Sequence, residues 1–404
     1  MAQLLAALTD RHRVALLYLR GGDEPPVDDG LRARCELVEE VGRGFGSTFP
    51  QRWLQRARIV RSLLRGNPRW VAQWSVRSYE TRVRTLAQAW QPDIVQIEYH
   101  VMGQYLPALS GCAAPRVLIQ HDPGAVAARN RRQIRRGLPK LLAHLEVRAW
   151  ERYEGAIMRE VQAIVVFTDR DRRALAPFAR RLPIVRIPIG TVLPERPLDP
   201  LGRPPPSIAF VGSFVHPPNT DAAVRLISAI FPRVRAQFPK LVLYVVGDGP
   251  PGWVHEMAGE NVFVTGRVPD TSSYLDRAAV LAVPLRLGGG MRVKVLEALA
   301  AGKAMVASPL AVEGLDVTDG EQVVLAETDQ EFCDAIGGLL RDPERRRALA
   351  RRARAWACAN LGWENSVAAY ETLYTSLITE GCLFDSGNPA SHRDSEARDG
   401  HNGN

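Results

Sequence analysis

One stretch of the sequence, PLRLGGGMRVKVLEALAAGKAMVAS from Pro284 to Ser308, constrains the fold more than any other. An apolar run of strand character enters the glycines Gly288, Gly289 and Gly290. A helical pattern then opens near Met291 and closes at Gly302, where a second apolar run begins. Strand, glycine loop, helix and strand in that order build a parallel sheet wound with helices. The same spacing makes a chemical site. The N–H groups at a helix N-terminus have no partner inside the helix, and glycines let an anion approach them closely, so a diphosphate fits there. Lys294 and Glu297 are three residues apart and share a helix face, where a cation suits phosphate and a carboxylate suits ribose hydroxyls. A glycine turn followed by a helix with a surface Lys–Glu pair has the same spacing, and this segment alone leaves both readings open.

The alternation of strand and helix runs through the whole chain. SIAFVG (Ser207 to Gly212), LVLYVVG (Leu241 to Gly247), VFVTG (Val262 to Gly266), VLAVPL (Val280 to Leu285) and AMVAS (Ala304 to Ser308) are predicted strands that end on or beside Gly, Pro or Ser. Small residues there belong to the C-terminal rim of a parallel sheet, where ligands bind. GDGPPG (Gly247 to Gly252) matches a dinucleotide fingerprint in form, but its prolines and its place after a later strand argue against that use. Gly247 and Gly249 read as a strand-end turn, with or without a role in lining a cleft. Upstream, strands are predicted over Val14 to Leu19, Ile94 to Glu98, Val117 to Gln120, Ala163 to Phe167 and Ile184 to Ile187. The proline-rich PERPLDPLGRPPP separates the halves. The expected division is residues 1–190, a linker over 191–206, a second domain over 207–361, a helix over 362–384 and a disordered tail over 385–404. Thr328 and Glu331 stand at capping-box spacing at the head of the helical region.

A chain of 404 residues is long for one core, which agrees with two domains. No apolar run reaches the ~20 residues of a membrane span, and the start MAQLLAALTDRHRV is charged too early for a secretory signal, so a cytoplasmic protein is expected. The five cysteines are scattered without metal-ligand spacing, and neither a disulfide framework nor a metal is expected. The net charge of +8 is local: Gln51 to Trp150 holds 17 basic against 5 acidic residues. There Arg interleaves with Trp53, Trp70, Trp74 and aliphatic residues, which suits peripheral contact with an anionic membrane, the inner face for a cytoplasmic protein. Solvated helices in an Arg-rich chain are the plainer alternative. No nucleic-acid module accompanies the charge, so nucleic acid is not an expected partner.

Five ordered blocks carry a resemblance: FVGSFVHPPNTDAAVRLI (Phe210 to Ile227), LYVVGDGP (Leu243 to Pro250), VFVTGRVPD (Val262 to Asp270), the segment Pro284 to Ser308, and LAVEGL (Leu310 to Leu315). In order and spacing they resemble the C-terminal domain of family 4 glycosyltransferases of the GT-B fold, over nearly all of Ser207 to Leu377 and more weakly over His12 to Gly190. The chain is most similar to a subgroup linked to exopolysaccharide or cell-surface glycan synthesis. The resemblance implies two Rossmann-like doubly wound α/β domains facing a cleft. It also implies a nucleoside-diphosphate-sugar donor as substrate with no further cofactor, a glycan or lipid-linked acceptor, retention of anomeric configuration and no metal. It places the nucleobase beside Arg267 and Val268, the ribose at Glu297 and the diphosphate at the amides of Gly289 to Met291. Arg286 and Lys294 would stabilise charge on the leaving group. Gly212 and Gly247 fall at strand ends lining the donor side. His121, after the strand VLIQHD, would stand near the reacting sugar; a structural role suits a strand-end histidine equally, and His100 is a weaker candidate.

Three departures from the family pattern matter. Gly289 stands where the family has a glutamate contacting the donor sugar, and Ser213 and Pro218 stand where it has an arginine and a lysine. The family also opens with a strand and glycine loop ahead of the strand comparable to RVALLYL (Arg13 to Leu19). Here LLAALTDRH reads as the end of the intervening helix, so the N-terminal domain is expected without that strand and loop. A degenerate GT-B protein that binds nucleotide or a partner enzyme without transfer is therefore the alternative reading.

Overall fold

The computed structural model describes residues 2–21, 24–43, 53, 56–57, 60, 62, 65–133, 138–179, 182–288 and 292–385; of 130–133, 138–142 and 380–385 only the backbone is described. The tail expected over 385–404 lies outside these residues beyond position 385. Six strands precede the proline-rich segment: β1 Ala15–Arg20, β2 Leu37–Gly42, β3 Val95–Glu98, β4 Arg116–Gln120, β5 Ala163–Val166 and β6 Ile184–Arg186. Six follow it: β7 Ser207–Val211, β8 Val242–Val246, β9 Val262–Val264, β10 Val280–Val283, β11 Met305–Ala307 and β12 Val324–Leu325. Every ladder between these strands is parallel. Parallel ladders need helical crossovers, and helices on both faces explain why β5 and β10 are buried at every position.

The second half is one six-stranded sheet in the order β12-β11-β10-β7-β8-β9. The chain winds outward from β7 through β8 to β9, then returns to the other side of β7 and winds outward through β10, β11 and β12. At such a reversal the connections leaving β7 and β10 diverge, and a crevice opens beyond their carboxyl ends. Below it lies a continuous apolar core including Phe210, Leu243, Val280, Leu296, Leu299 and Phe332. The helix Asp329–Arg341 opens with the expected capping box, Thr328 and Glu331 each accepting from the other's backbone. The linker is pinned by Lys303, fully buried, whose ammonium donates to the carbonyls of Asp199 and Asp276.

The first half differs from the expected single sheet. Among the described residues β1 pairs only with β2, and β3 begins a separate four-stranded sheet in the order β3-β4-β5-β6. The two sheets nevertheless share their covering layers. On one side the helix Ala2–Leu8 and the helix Trp363–Asp385 form a core with Val117, Ile119, Val165 and Ile187, against which both Val14, before β1, and Ile94, before β3, are packed. On the other side the helix Arg77–Trp90 packs Val83 and Ala87 with Val95 and sends the Tyr79 hydroxyl to the Leu17 carbonyl in β1, 3.0 Å away. A seam thus runs between β1 and β3 under common cover. The C-terminal helix ties the halves together: the Ser366 hydroxyl donates to the Pro188 carbonyl at 2.8 Å, and Trp363 lies so close to Gly190 that a Cβ there would come within 2.6 Å of its ring.

The ten strands predicted from sequence are all present with ends shifted by one or two residues. The unexpected two are β2, LVEEVG, whose glutamates break the apolar pattern, and β12, which has two residues.

Candidate functional site

The crevice at the carboxyl ends of β7 and β10 gathers most of the residues singled out above. Gly247 leaves β8 at φ +140°, and a Cβ on it would come within 1.9 Å of the Gly212 carbonyl oxygen. That close approach needs glycine whatever else the turn does, and it draws the loops after β7 and β8 together. A Cβ on Gly212 would in turn come within 2.9 Å of the Lys294 ammonium. Lys294 projects from the helix Val293–Ala300 into this gap, donating to Asn219 Oδ1 and resting over the Phe210 ring at 4.8 Å. Burial holds its pKa down to about 8, the neighbouring Arg292 pushes the same way, and Glu297 opposes them.

Arg292, the N-cap residue of that helix, is buried, and burial followed by repulsion from Arg170 lowers its pKa. Glu297 is exposed, yet desolvation raises its carboxyl against the pull of Lys294. The two cations therefore stand in surroundings that disfavour their own charge, which is what a site for an anionic ligand looks like before the ligand arrives. Gly288, at φ +116°, lies with its missing Cβ facing Pro218 and 3.6 Å from an Arg292 guanidinium nitrogen. Gly289, Gly290 and Met291 lie outside the described residues. The helix begins at Val293, two residues later than the pattern suggested. Arg286 is exposed and held by both carboxylate oxygens of Asp221, at 2.8 and 3.2 Å. Its charge is thus already matched, unlike that of Lys294. Arg267 is exposed and Val268 half-buried on the loop after β9, on the same rim.

The facing wall comes from the first half. His121 follows β4, half-buried, with Nε2 3.1 Å from Glu98 Oε2 at the end of β3. Its ring lies edge-on to Phe167 and tilted to Tyr99. Tyr99 sits at φ +79°, a costly conformation for a residue with a Cβ and one that concentrates at functional sites. His100 turns the other way. It is fully buried among Trp70, Tyr99 and Trp150, and burial lowers its pKa to about 3, so it is a neutral core group away from the cleft. Behind the loop carrying His121 and Asp122, buried Glu154 accepts from the Gly124 amide at 2.6 Å and from Gln120 at 3.3 Å, and burial raises its carboxyl to about 7.

The walls meet through arginines. Arg170, one residue into the helix Asp169–Ala179, donates to Glu313 at 2.8 Å and to the Gly288 carbonyl at 3.2 Å. Arg186 in β6 reaches Asp316 at 3.1 Å and the Gly314 carbonyl at 3.4 Å. A Cβ on Gly314 would come within 2.8 Å of the Thr168 side chain, so the approach of the halves is close. Sequence reasoning missed Glu98, Glu154, Arg170 and Arg292; the first three acquire their roles from partners 23 or more residues away, and Arg292 from burial beside Gly288 that its spacing does not show. Among the described residues no three His, Cys, Asp or Glu side chains gather as metal ligands would.

Two sheet-and-helix halves meeting across such a crevice define a class, the GT-B fold. A sucrose-phosphate synthase from Thermosynechococcus elongatus superposes with a TM-score of 0.68 at 19% identity, covering 94% of this chain and 92% of that one. Anabaena HepE, in complex with UDP and glucose, superposes with a TM-score of 0.64 at 15% identity over 93% and 94% of the two chains. Within this class, residues 205–342 match the model of the family Glycosyl transferases group 1. By sequence the chain is 29% identical over 163 residues to a phosphatidyl-myo-inositol mannosyltransferase of Mycolicibacterium smegmatis, covering 39% of this chain and 42% of the relative. It is also 29% identical over 211 residues to that organism's GDP-mannose-dependent alpha-(1-6)-phosphatidylinositol monomannoside mannosyltransferase, covering 48% and 51%. The chain thus spans about half the length of the curated relatives it matches.

Proposed function

We propose that the protein transfers a sugar from a nucleoside-diphosphate donor to a glycan or lipid-linked acceptor, with retention and without a metal. Residues 207–361 would act as the donor side and 1–190 as the acceptor side. The observation that carries the reading is the pair Arg292, buried, and Lys294, half-buried beside Gly212 and Asn219, at the mouth of a glycine-lined switch-point crevice. A diphosphate there would relieve their mutual repulsion and gain charge-assisted hydrogen bonds. In transfer, the bond from the anomeric carbon to the diphosphate oxygen breaks and the acceptor hydroxyl bonds to that carbon. Its proton passes to the leaving phosphate, whose growing charge Lys294 stabilises; this electrostatic help is the largest contribution such a site makes. Arg267 and Val268 would flank the base and Glu297 would take the ribose, while His121, held by Glu98, would face the reacting sugar.

The mycobacterial relatives are named for phosphatidylinositol-based acceptors, which supports a lipid-linked one here. Trp53 and Val60, 65% and 54% exposed in the Arg-rich stretch, support contact with an anionic membrane, and among the described residues no helix is long and apolar enough to cross one. The test is release of nucleoside diphosphate from a panel of UDP- and GDP-sugars, with and without phosphatidylinositol vesicles. Turnover dependent on one donor supports transfer; tight binding of a donor without turnover under any acceptor selects the non-catalytic reading instead.

A further inference from the structure

Arg170 belongs to the half of the molecule opposite the donor crevice, yet its guanidinium touches the crevice loop. It follows β5 and Asp169, is half-buried, and donates to Glu313 and to the carbonyl of Gly288, the first of the three glycines. Arg292 lies at the same glycine, a guanidinium nitrogen 3.6 Å from where a Cβ would stand, and Arg170 is the charged neighbour that most lowers the Arg292 pKa. Two cations, Arg170 from across the cleft and Arg292 from the donor half, thus meet at Gly288, with Lys294 close enough to Arg292 to be repelled by it. The carboxylates facing Arg292 are Glu313, Asp122 and Asp171, and Glu297 faces Lys294. Of these, Glu313 is the one Arg170 already holds.

We infer that Arg170 is a nucleoside-diphosphate-binding residue supplied across the cleft, held by Glu313 until the donor arrives, so that the donor's phosphates bridge the two halves. The inference rests on the donor reading above. Its chemistry is that of exchange: a diphosphate offers more charge and more acceptor oxygens than one carboxylate, and the arginine fork can reach it in a bidentate way. The polar contacts between the halves here, Arg170 with Glu313 and the Gly288 carbonyl and Arg186 with Asp316 and the Gly314 carbonyl, are of the kind that an anion can rearrange.

The experiment is calorimetric titration of the full chain with UDP, GDP, uridine and guanosine, together with small-angle scattering with and without the diphosphate. The protein is expected to bind one diphosphate well above its nucleoside and to become more compact. Arg170→Gln is expected to lose 10-fold or more in diphosphate affinity with nucleoside affinity unchanged, and to lose the compaction; Arg170→Lys recovers part of both. Glu313→Gln, which frees Arg170, is expected to tighten diphosphate binding at least 2-fold. Thermal melts without ligand separate folding defects from binding defects. Wild-type diphosphate affinity and compaction in Arg170→Gln would overturn the inference and leave the donor reading standing. A wild-type protein that binds neither diphosphate above its nucleoside overturns both.

Discussion

Lys294 is a cation whose surroundings favour its neutral form, and that sets the pH behaviour expected of nucleotide binding. With its pKa lowered to about 8, the ammonium is charged below that pH and is lost as pH rises through it. Affinity for the UDP or GDP that binds is expected to fall from pH 7 to pH 9 in the wild type and to stay flat in Lys294→Arg, whose guanidinium keeps its charge. Lys294→Ala is expected to weaken binding about 10- to 100-fold at pH 7, the range of a hydrogen bond to a charged group; unchanged affinity would remove Lys294 from the site. Glu154 makes a second prediction. Its carboxyl is raised from 4.5 to about 7, so the folded protein holds a proton that the unfolded chain has released. Stability should therefore fall as pH rises from about 5 to about 7, by up to about 3 kcal/mol. Glu154→Gln should lack that slope in urea unfolding at pH 5.5 and pH 8. Lys294 was legible in the sequence because glycines and a helix start lie beside it. Glu154 was not, since its carboxylate meets Gly124 thirty residues earlier in the chain, and nothing local marks a buried acid.

Loops and helix ends show how local chemistry sets larger geometry. The sequence left open whether Gly247 only turns the chain; its approach to Gly212 shows that the two strand ends are locked together. Gly247→Ala would drive a methyl group into a backbone carbonyl at a φ that side chains rarely adopt. A loss of about 3 kcal/mol or more in urea unfolding, together with weakened nucleotide binding, is expected; a fully stable variant would show that the loops can part at little cost. Thr328→Ala removes a cap and should cost only about 1 kcal/mol, with nucleotide affinity unchanged. Strands ending in glycine, proline or serine were readable because burial on both faces makes continuous apolar runs. β2 escaped because its half-exposed pattern admits glutamates, Glu39 pairing with Arg82 and Glu40 with Arg20.

At the scale of the whole molecule, the two-half architecture was legible from the alternation of strands and helices around a proline-rich break. The contacts that set the halves against each other were not, because ion pairs such as Arg170–Glu313 join surface positions no pattern links. The seam between β1 and β3 has a further consequence. Among the described residues no ladder of hydrogen bonds along it carries cooperativity from one sheet to the other, and the helices they share link them. Residues 2–43 should therefore behave as a foldon of their own, opening and closing without unfolding the rest. Amide hydrogen exchange is expected to be at least ~10-fold faster in β1 and β2 than in β4 and β5. Equal protection would mean the helical cover alone makes the half one cooperative body. Each opening would bare two strand edges at once, and bared edges pair with whatever extended chain they meet. The seam is thus a place where this protein, once opened, could take up a strand from elsewhere.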